Sequence, residues 1–568
     1  MRLLTFVLPA SALVLAITSC QHGTKDAGLP DKSATDNCPD YDLVIENGRV
    51  VDGTGNGWFL ADVAIRDGLI VAVEDVPTTA TATRRIDAQR RIVAPGFIDV
   101  HTHVDYDIYD LPVAENFLRN GVTTIITGNC GSSVTDVADY FATIQEKGAG
   151  VNVATMIGHN TVLRKAKGPI AAPLTEEQWE TARAMVRQAM RDGAVGFSTG
   201  LIYTPGQWSD TEEIVQLQAI AHEYGGVYAT HMRNESTKIV EAIEEALNVG
   251  RRTGSRVQIS HFKMPKDVSD RIGTAATTLQ LVDAARAEGM EVWVDQYPYT
   301  ASSTSMSVML PDWVLAEGPE KAKEFISDPA QRDRIHADMK DNHEVARGRE
   351  DLSYAVITTA KGFPEFGGLN LKEATQVVKL RKERGAEVDW KAIPRDQWPA
   401  VTMADQYDMV MEIYRTGGSG GVFHTMSEDD VERIMAHPLV GVCSDSGIRK
   451  FGSGVPHPRG YGSNARVLGH YVRGRGVVSV EEAVRKMTSM PALAFRLEGR
   501  GLLRSGYAAD VVIFDPATVT DRSTFEDPHH YSTGFQLVVV NGVVASENDA
   551  VTGALAGEAV RRQNYKGY

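Results

Sequence analysis

From residue 41 the chain alternates apolar and polar positions around tight-turn signals, in YDLVIENGRVVDG, then ADVAIRDGLIVAVED, then RRIDAQRRIVAPG. Asn47-Gly48 and Asp67-Gly68 stand between apolar runs, where two-residue hairpin turns belong, so residues 41–96 predict a small antiparallel sheet. A matching piece closes the chain: YAADVVIFDP, then FQLVVVNGVVAS around Asn541-Gly542. The two pieces, residues 41–96 and 496–568, predict one β-sandwich assembled from both chain ends.

Between them the rhythm changes to short β-rich runs separated by helices. The runs fall at 97–101, 122–127, 151–157, 195–198, 227–231, 257–261, 292–297 and 440–445. EEQWETARAMVRQAMRDG sets Trp179, Arg183, Val186 and Met190 on one side at helical spacing and stops at Gly193. SDTEEIVQLQAIAHEYGG opens with Ser209 and Glu212 in capping-box spacing. Strand, helix and strand at this interval call for right-handed crossovers and a parallel sheet, and eight such strands close a barrel. The expected fold is therefore α/β, a (β/α)8 TIM-like barrel over residues 97–495 with the small β-sandwich beside it. One interval breaks the pattern: about 120 residues separate the seventh and eighth strands, far beyond an ordinary connection. This stretch, about 301–421, reads as an insertion on the catalytic rim and a lid over a substrate.

Apolar residues make up 43% of the chain, enough for a large core. The formal charge of -16 speaks against a nucleic-acid surface, which needs clustered Lys and Arg, and for a small polar substrate. MRLLTFVLPASALVLAITSC carries Arg2 and then an apolar run too short to span a bilayer comfortably, so residues 1–19 read as an export signal. Ile17-Thr18-Ser19-Cys20 resembles the lipobox of bacterial lipoproteins. The resemblance implies that Cys20 becomes a diacylated membrane anchor, and Gln21 points to the outer membrane facing the periplasm. Residues 20–40 read as a flexible tether. Beyond the anchor only Cys38, Cys130 and Cys443 remain, too few for a disulfide framework in an exported protein.

Active sites of such barrels lie at the C-terminal ends of the strands, and that is where the chemistry-bearing residues fall. His101 and His103, two apart, share one face at the end of the first strand. Cys130 follows the second in ITGNCGSS, His231 ends the fifth in YATHMRNE, His261 ends the sixth in QISHFK, and Asp445 ends the eighth in GVCSDSG. A thiolate with two imidazoles leaves zinc an open position for water or a carbonyl. Cys443, two residues before Asp445, shares its inward direction and reads as core packing.

FIDVHTH, GNCG, THMRNE, SHFK, DQYPYT and SDSG followed by HPRGYG resemble, in order, the motifs of the D-aminoacylase (N-acyl-D-amino-acid deacylase) branch of the amidohydrolase superfamily, over residues 41 to the end. The resemblance implies a zinc-dependent hydrolase that removes the acyl group from N-acyl-D-amino acids. Cys130, His231 and His261 would hold the principal zinc, and His101 and His103 with Asp445 a second, weaker site. Asp445 would be the general base and then acid. Where many two-metal amidohydrolases place a carboxylated lysine at the end of strand four, GFSTGLIY offers Ser198 and Thr199. Lys263 and Tyr297 match the family's positions for a free α-carboxylate; Arg459 and Arg233 are further candidates. His159 and Arg164, in MIGHNTVLR, resemble a family motif near the rim and a substrate loop. His457 reads as a surface-loop histidine. Phe262 and Ser446 depart from the commonest family pattern. Three other readings stay open: a dipeptidase-like amidohydrolase cleaving peptides with a C-terminal D- or unusual amino acid, a cyclic-amide hydrolase, and a surface lipoprotein that keeps the barrel only as a binding scaffold.

Overall fold

The computed structural model of the protein describes residues 39–562. The export signal, Cys20 and Cys38 lie outside the described residues. Eight parallel strands form the barrel: β1 (Phe97–Asp99), β2 (Val122–Thr127), β3 (Asn152–Thr155, resumed at Ile157–Gly158), β4 (Gly196–Gly200), β5 (Val227–His231), β6 (Val257–Ile259), β7 (Val292–Gln296) and β8 (Val440–Val442). Sequential neighbours pair in parallel register, for example Phe197 with Tyr228 and Gly200 with His231. The ring closes past the ends of β1 and β8, where Asp445 N–H donates to His101 O and His103 N–H to Ser446 O, both at 2.9 Å.

The two faces of each strand serve different cores, as a period of two requires. Ile98, Ile126, Ala154, Ala229 and Trp293 face the barrel interior with Met490 and Phe495 from the chain that follows β8. Their neighbours Ile125, Val153, Phe197, Tyr228 and Val292 face outward against helices that contribute Val186, Met190, Leu217 and Leu247. Burying each such side chain is worth about 1.5–3 kcal/mol, and this two-sided burial fixes which way each strand residue faces. Helix Glu176–Arg191 begins in a full capping box at Thr175. Helix Thr211–Glu223 is capped by Asp210, one residue later than the Ser209 expected, and Ser209 Oγ instead donates to the Glu213 carboxylate.

Strands from both chain ends join one nine-stranded sheet. The seam is Ile92–Pro95 running antiparallel to Val511–Phe514. The sheet folds about a shared interior of Ile45, Val63, Val93, Val511, Ile513 and Val539, while Val512, Phe514, Val538 and Val540 rest on the barrel. Asp67-Gly68 and Asn541-Gly542 are two-residue turns, with Arg66 paired to Leu69 and Val540 to Val543. Asn47-Gly48 is not a turn. It is an irregularity inside the single strand Tyr41–Val50, where the register shifts between Ile45 and Gly48. Asn47 takes a left-handed φ of 56°, and a Cβ at Gly48 would come within 2.5 Å of Val93 Cγ2.

The insertion between β7 and β8 has its own three-stranded antiparallel sheet, Ser302–Ser305, Ser419–Phe423 and Ala355–Ala360 in that order. Four principal helices, Pro319–Ser327, Pro329–Lys340, Leu371–Arg384 and Met403–Arg415, complete it. Ile335, Met339, Ile357, Leu371, Leu380 and Val410 give it a separate core. It is a small folded unit set on the strand C-termini.

Candidate metal centre and substrate cleft

Cys130, His261 and Asp445 each sit in the left-handed region, with φ of 51°, 36° and 51°. That conformation costs a residue other than glycine about 1–3 kcal/mol and persists only where neighbours enforce it. Each has such a neighbour. Ser198 Oγ accepts from Gly131 N–H at 3.1 Å and donates to Gly128 O, clamping the turn around Cys130. Asp295 Oδ1 accepts from His261 N–H at 2.7 Å. His101 O accepts from Asp445 N–H at 2.9 Å.

Held this way, the side chains converge. Cys130 Sγ lies 3.6 Å from His231 Nδ1, 3.5 Å from His261 Nε2 and 3.2 Å from His101 Nε2. Asp445 Oδ1 lies 3.1 Å from His103 Nε2 and 3.5 Å from His101 Nε2. A tetrahedral zinc with bonds near 2.3 Å to sulfur and 2.0–2.1 Å to nitrogen sets the sulfur and nitrogen about 3.6 Å apart. The edges from Cys130 to His231 and His261 are close to that length, so these donors suit a zinc ion, and His101, Cys130 and His261 likewise form a set with all ligand atoms within 4.8 Å of one another. His101, His103 and Asp445 form a second set beside it that also suits a cation, all their ligand atoms lying within 4.8 Å of one another.

The electrostatics agree with ligation. Burial pushes the Cys130 thiol up, but the His101 charge and hydrogen bonds from His101, His103 and His231 overcome it and hold the group well below an ordinary thiol. Burial also opposes the Asp445 carboxylate, and the charges of Arg459 and His101 outweigh it, keeping it well below the usual carboxylate range. A base that stays ionised faces the thiolate and imidazoles.

Behind the histidines stands a residue that sequence reasoning missed. Glu235 accepts from Lys263 Nζ at 2.7 Å, lies 2.9 Å from His261 Nδ1, and reaches to 3.3 Å of His231 Nε2 with its other oxygen. One carboxylate thus stands within ion-pair distance of both imidazoles, on the nitrogens that face away from Cys130, where it supports them electrostatically as ligands. Its signal was available in THMRNE, an acidic residue four after the ligand histidine. Asp295, in DQYPYT, was likewise unassigned, and lies 3.3 Å from His101 Nδ1.

The centre opens into a cavity of about 430 Å³ walled on one side by the insertion. Lys263, Tyr297 and Arg459 line it as expected. The Arg459 guanidinium sits 4.8 Å over the Tyr297 ring and 2.7 Å from Asp445. Burial keeps the Tyr297 phenol protonated, and its hydroxyl has no hydrogen-bond partner among the described residues, leaving a donor for a ligand. Tyr203, also unassigned from sequence, packs its ring 4.8 Å from His231 and hydrogen-bonds Thr304 of the insertion at 2.8 Å.

Three expectations need correction. Arg233 does not line the cleft: it makes a bidentate pair with Glu245 at 2.9 Å, and two further N–H groups serve Gln207 O and Ser209 O. His159 is buried behind the rim, 2.8 Å from Glu213, and does not line the cavity. His457 is not a surface residue: it is 1% exposed, donates to Ala301 O and accepts from Arg459 N–H at 3.0 Å, so it positions the Arg459 backbone. Arg164 is tied to Thr204 O and Ser132 Oγ at the rim. Cys443 is a buried free thiol whose pKa burial pushes well up.

The profile of the amidohydrolase family matches residues 84–307 and 371–545, and the chain belongs to that family. The match skips residues 308–370, much of the insertion. D-aminoacylase of Alcaligenes xylosoxydans xylosoxydans is 34% identical over 553 residues, which cover 93% of this chain and 99% of that protein. N-acyl-D-glutamate deacylase of the same organism is 36% identical over 526 residues, covering 88% and 93%. The crystal structure of N-acyl-D-glutamate deacylase from Bordetella bronchiseptica, complexed with zinc and a phosphonate mimic of the reaction's tetrahedral intermediate, matches with a TM-score of 0.74 at 32% identity. That match covers 92% of this chain and 99% of that one.

Proposed function

We propose that the protein is a zinc-dependent deacylase that releases the free amino acid from N-acyl-D-amino acids. The observation that carries this reading is the convergence of Cys130, His231 and His261 at zinc-like spacing with the ionised Asp445 facing them. The similarity to D-aminoacylase supports the D-configured substrate class.

When bound, zinc supplies Lewis-acid polarisation of the amide carbonyl and a lower pKa for the attacking water. The chain's own residues do the rest. Arg459, Lys263 and Tyr297 gather around one point of the cavity and receive the α-carboxylate through charge-assisted hydrogen bonds. That anchor sets the scissile amide beside Asp445. Asp445 takes the proton from water as it adds to the carbonyl carbon, then returns it to the amide nitrogen as the C–N bond breaks. Glu235 holds His231 and His261 in place throughout.

A panel of N-acetyl-D- and N-acetyl-L-amino acids and L-D dipeptides, assayed with the zinc-loaded protein, tests the reading. Turnover of the N-acetyl-D compounds above the others is expected. Preferential cleavage of the dipeptides would favour a dipeptidase, and no hydrolysis of any amide would leave only a binding scaffold. The leader also supports export and anchoring through Cys20 at the outer membrane; loss of palmitate labelling and of membrane association in Cys20→Ala checks that part.

A further inference from the structure

Three Lys and Arg side chains line the cavity, and two of them already stand beside carboxylates of the site. Lys263 is 2.7 Å from Glu235, and Arg459 is 2.7 Å from Asp445. The third is Arg347, from the turn of the insertion that also brings Asn342 and His343 to the wall. Among the described residues no carboxylate stands within ion-pair distance of the Arg347 guanidinium, and its Nε is buried without a hydrogen-bond partner. Arg349, two residues on, shows what a structural arginine looks like here: it pairs with Asp267 at 3.4 Å and lies 4.2 Å over the Tyr354 ring.

A half-buried guanidinium pays a desolvation cost that an anion must offset, and a planar five-donor group is built to take a carboxylate. The surrounding groups do not supply one. His343 is neutral, held to a pKa of about 4 by burial and by the Arg347 charge itself. Val308, Met309 and Phe423 on the same wall are apolar. The formal charge of the chain is -16, so this positive spot is local and not part of a general field. Arg347 also lies within the 308–370 stretch that the family profile does not cover.

We infer that Arg347 receives a second carboxylate of the substrate, so that the enzyme selects N-acyl derivatives of acidic D-amino acids, aspartate or glutamate. The α-carboxylate would sit at Arg459, Lys263 and Tyr297 and the side-chain carboxylate at Arg347. This rests on the deacylase reading of the same site.

The test compares kcat/KM for N-acetyl-D-glutamate, N-acetyl-D-aspartate, N-acetyl-D-glutamine, N-acetyl-D-leucine and N-succinyl-D-leucine in the wild type, Arg347→Met and Arg347→Lys. The wild type should prefer an acidic side chain over glutamine. Arg347→Met should lower kcat/KM for the acidic substrates roughly 10- to 100-fold, the worth of a charge-assisted contact, and leave glutamine and leucine derivatives unchanged. Arg347→Lys should recover part of the loss. Equal or better turnover of neutral side chains by the wild type, an equal loss on all substrates in Arg347→Met, or a preference that follows the succinyl group would each overturn the assignment. Turnover confined to neutral D-substrates removes only the role of Arg347. No turnover of any N-acyl-D-amino acid removes the deacylase reading beneath it.

Discussion

Asp445→Asn separates the proton-transfer role of this carboxylate from its structural one. The side chain changes one oxygen for NH2 and keeps its shape, so one oxygen can still face the Arg459 guanidinium, now 2.7 Å from the carboxylate. Three effects can be worked from the surroundings. First, a positioned general base contributes typically 10²–10⁴-fold, so removing it should raise the barrier by about 3–5 kcal/mol. Second, Arg459 is 5% exposed and loses the carboxylate that is its only one among the described residues; breaking a buried pair costs about 3–5 kcal/mol, and the retained oxygen keeps the loss at or below the lower end. Third, Cys130, His231 and His261 are untouched, and zinc at that set should stay. The assay is kcat and KM on an N-acyl-D-amino acid at saturating zinc, with metal content by mass spectrometry and a melting curve. The expected triplet is near-wild-type zinc, a lowered Tm, and kcat down by roughly 10²–10⁴. A variant with raised KM and intact kcat would mean that Asp445 only holds Arg459 in place, and a variant at wild-type rate would refute the base assignment outright.

Three further perturbations probe the supports of the site. Glu235→Gln removes the carboxylate behind His231 and His261, and zinc affinity measured by chelator competition should fall about 10- to 100-fold, with activity recovering at excess zinc. Gly200→Ala places a Cβ 2.1 Å from Cys130 O, a backbone contact that no rotamer relieves, so zinc occupancy and activity should drop while circular dichroism stays that of a barrel. His343 has a folded pKa of about 4 against 6.5 in the unfolded chain. Its contribution is therefore complete above pH 6.5 and is lost as pH falls toward 4, reaching a loss of about 2 kcal/mol at pH 5. Denaturant unfolding at pH 7.5 and pH 5 should show that difference in the wild type and a smaller one in His343→Gln; the same pH difference in both proteins would refute it.

The barrel was legible because its signals are local and repeated: β-rich runs at strand length, helices with capped starts, and ligand residues placed where strands end. The same periodicity located His101, His103, Cys130, His231, His261 and Asp445. Side-chain direction was not legible. Arg233 is next but one to His231, yet the short loop after β5 turns it onto Glu245. His159 begins a helix whose N-terminal turn is buried, and spacing alone cannot tell a rim residue from one behind it. Asn47-Gly48 has the composition of a hairpin turn, and only the pairing of residues on both sides with the same strand shows an irregularity. Glu235 escaped because an acidic residue four after a histidine is common on any loop, and Arg347 because it lies in a segment whose polar sequence carries no periodic signal.

The end of β4 shows how the site is paid for. Ser198, at the position where the resemblance would place a carboxylated lysine in many two-metal relatives, and Gly200, two residues on, both instead serve Cys130. Ser198 clamps the two peptide groups flanking the thiolate turn, and Gly200 leaves the space that Cys130 O occupies. The three strained residues follow β2, β6 and β8, while their buttresses come from β4, from β7 and from the end of β1. Every strained ligand is therefore fixed by another strand and none by the insertion. At about 1–3 kcal/mol each, the strain is small against the two-sided burial of eight strands. The chemistry is thus a property of the barrel's cross-strand contacts, and the insertion, with its separate core and its unpaired Arg347, is free to set which side chain enters.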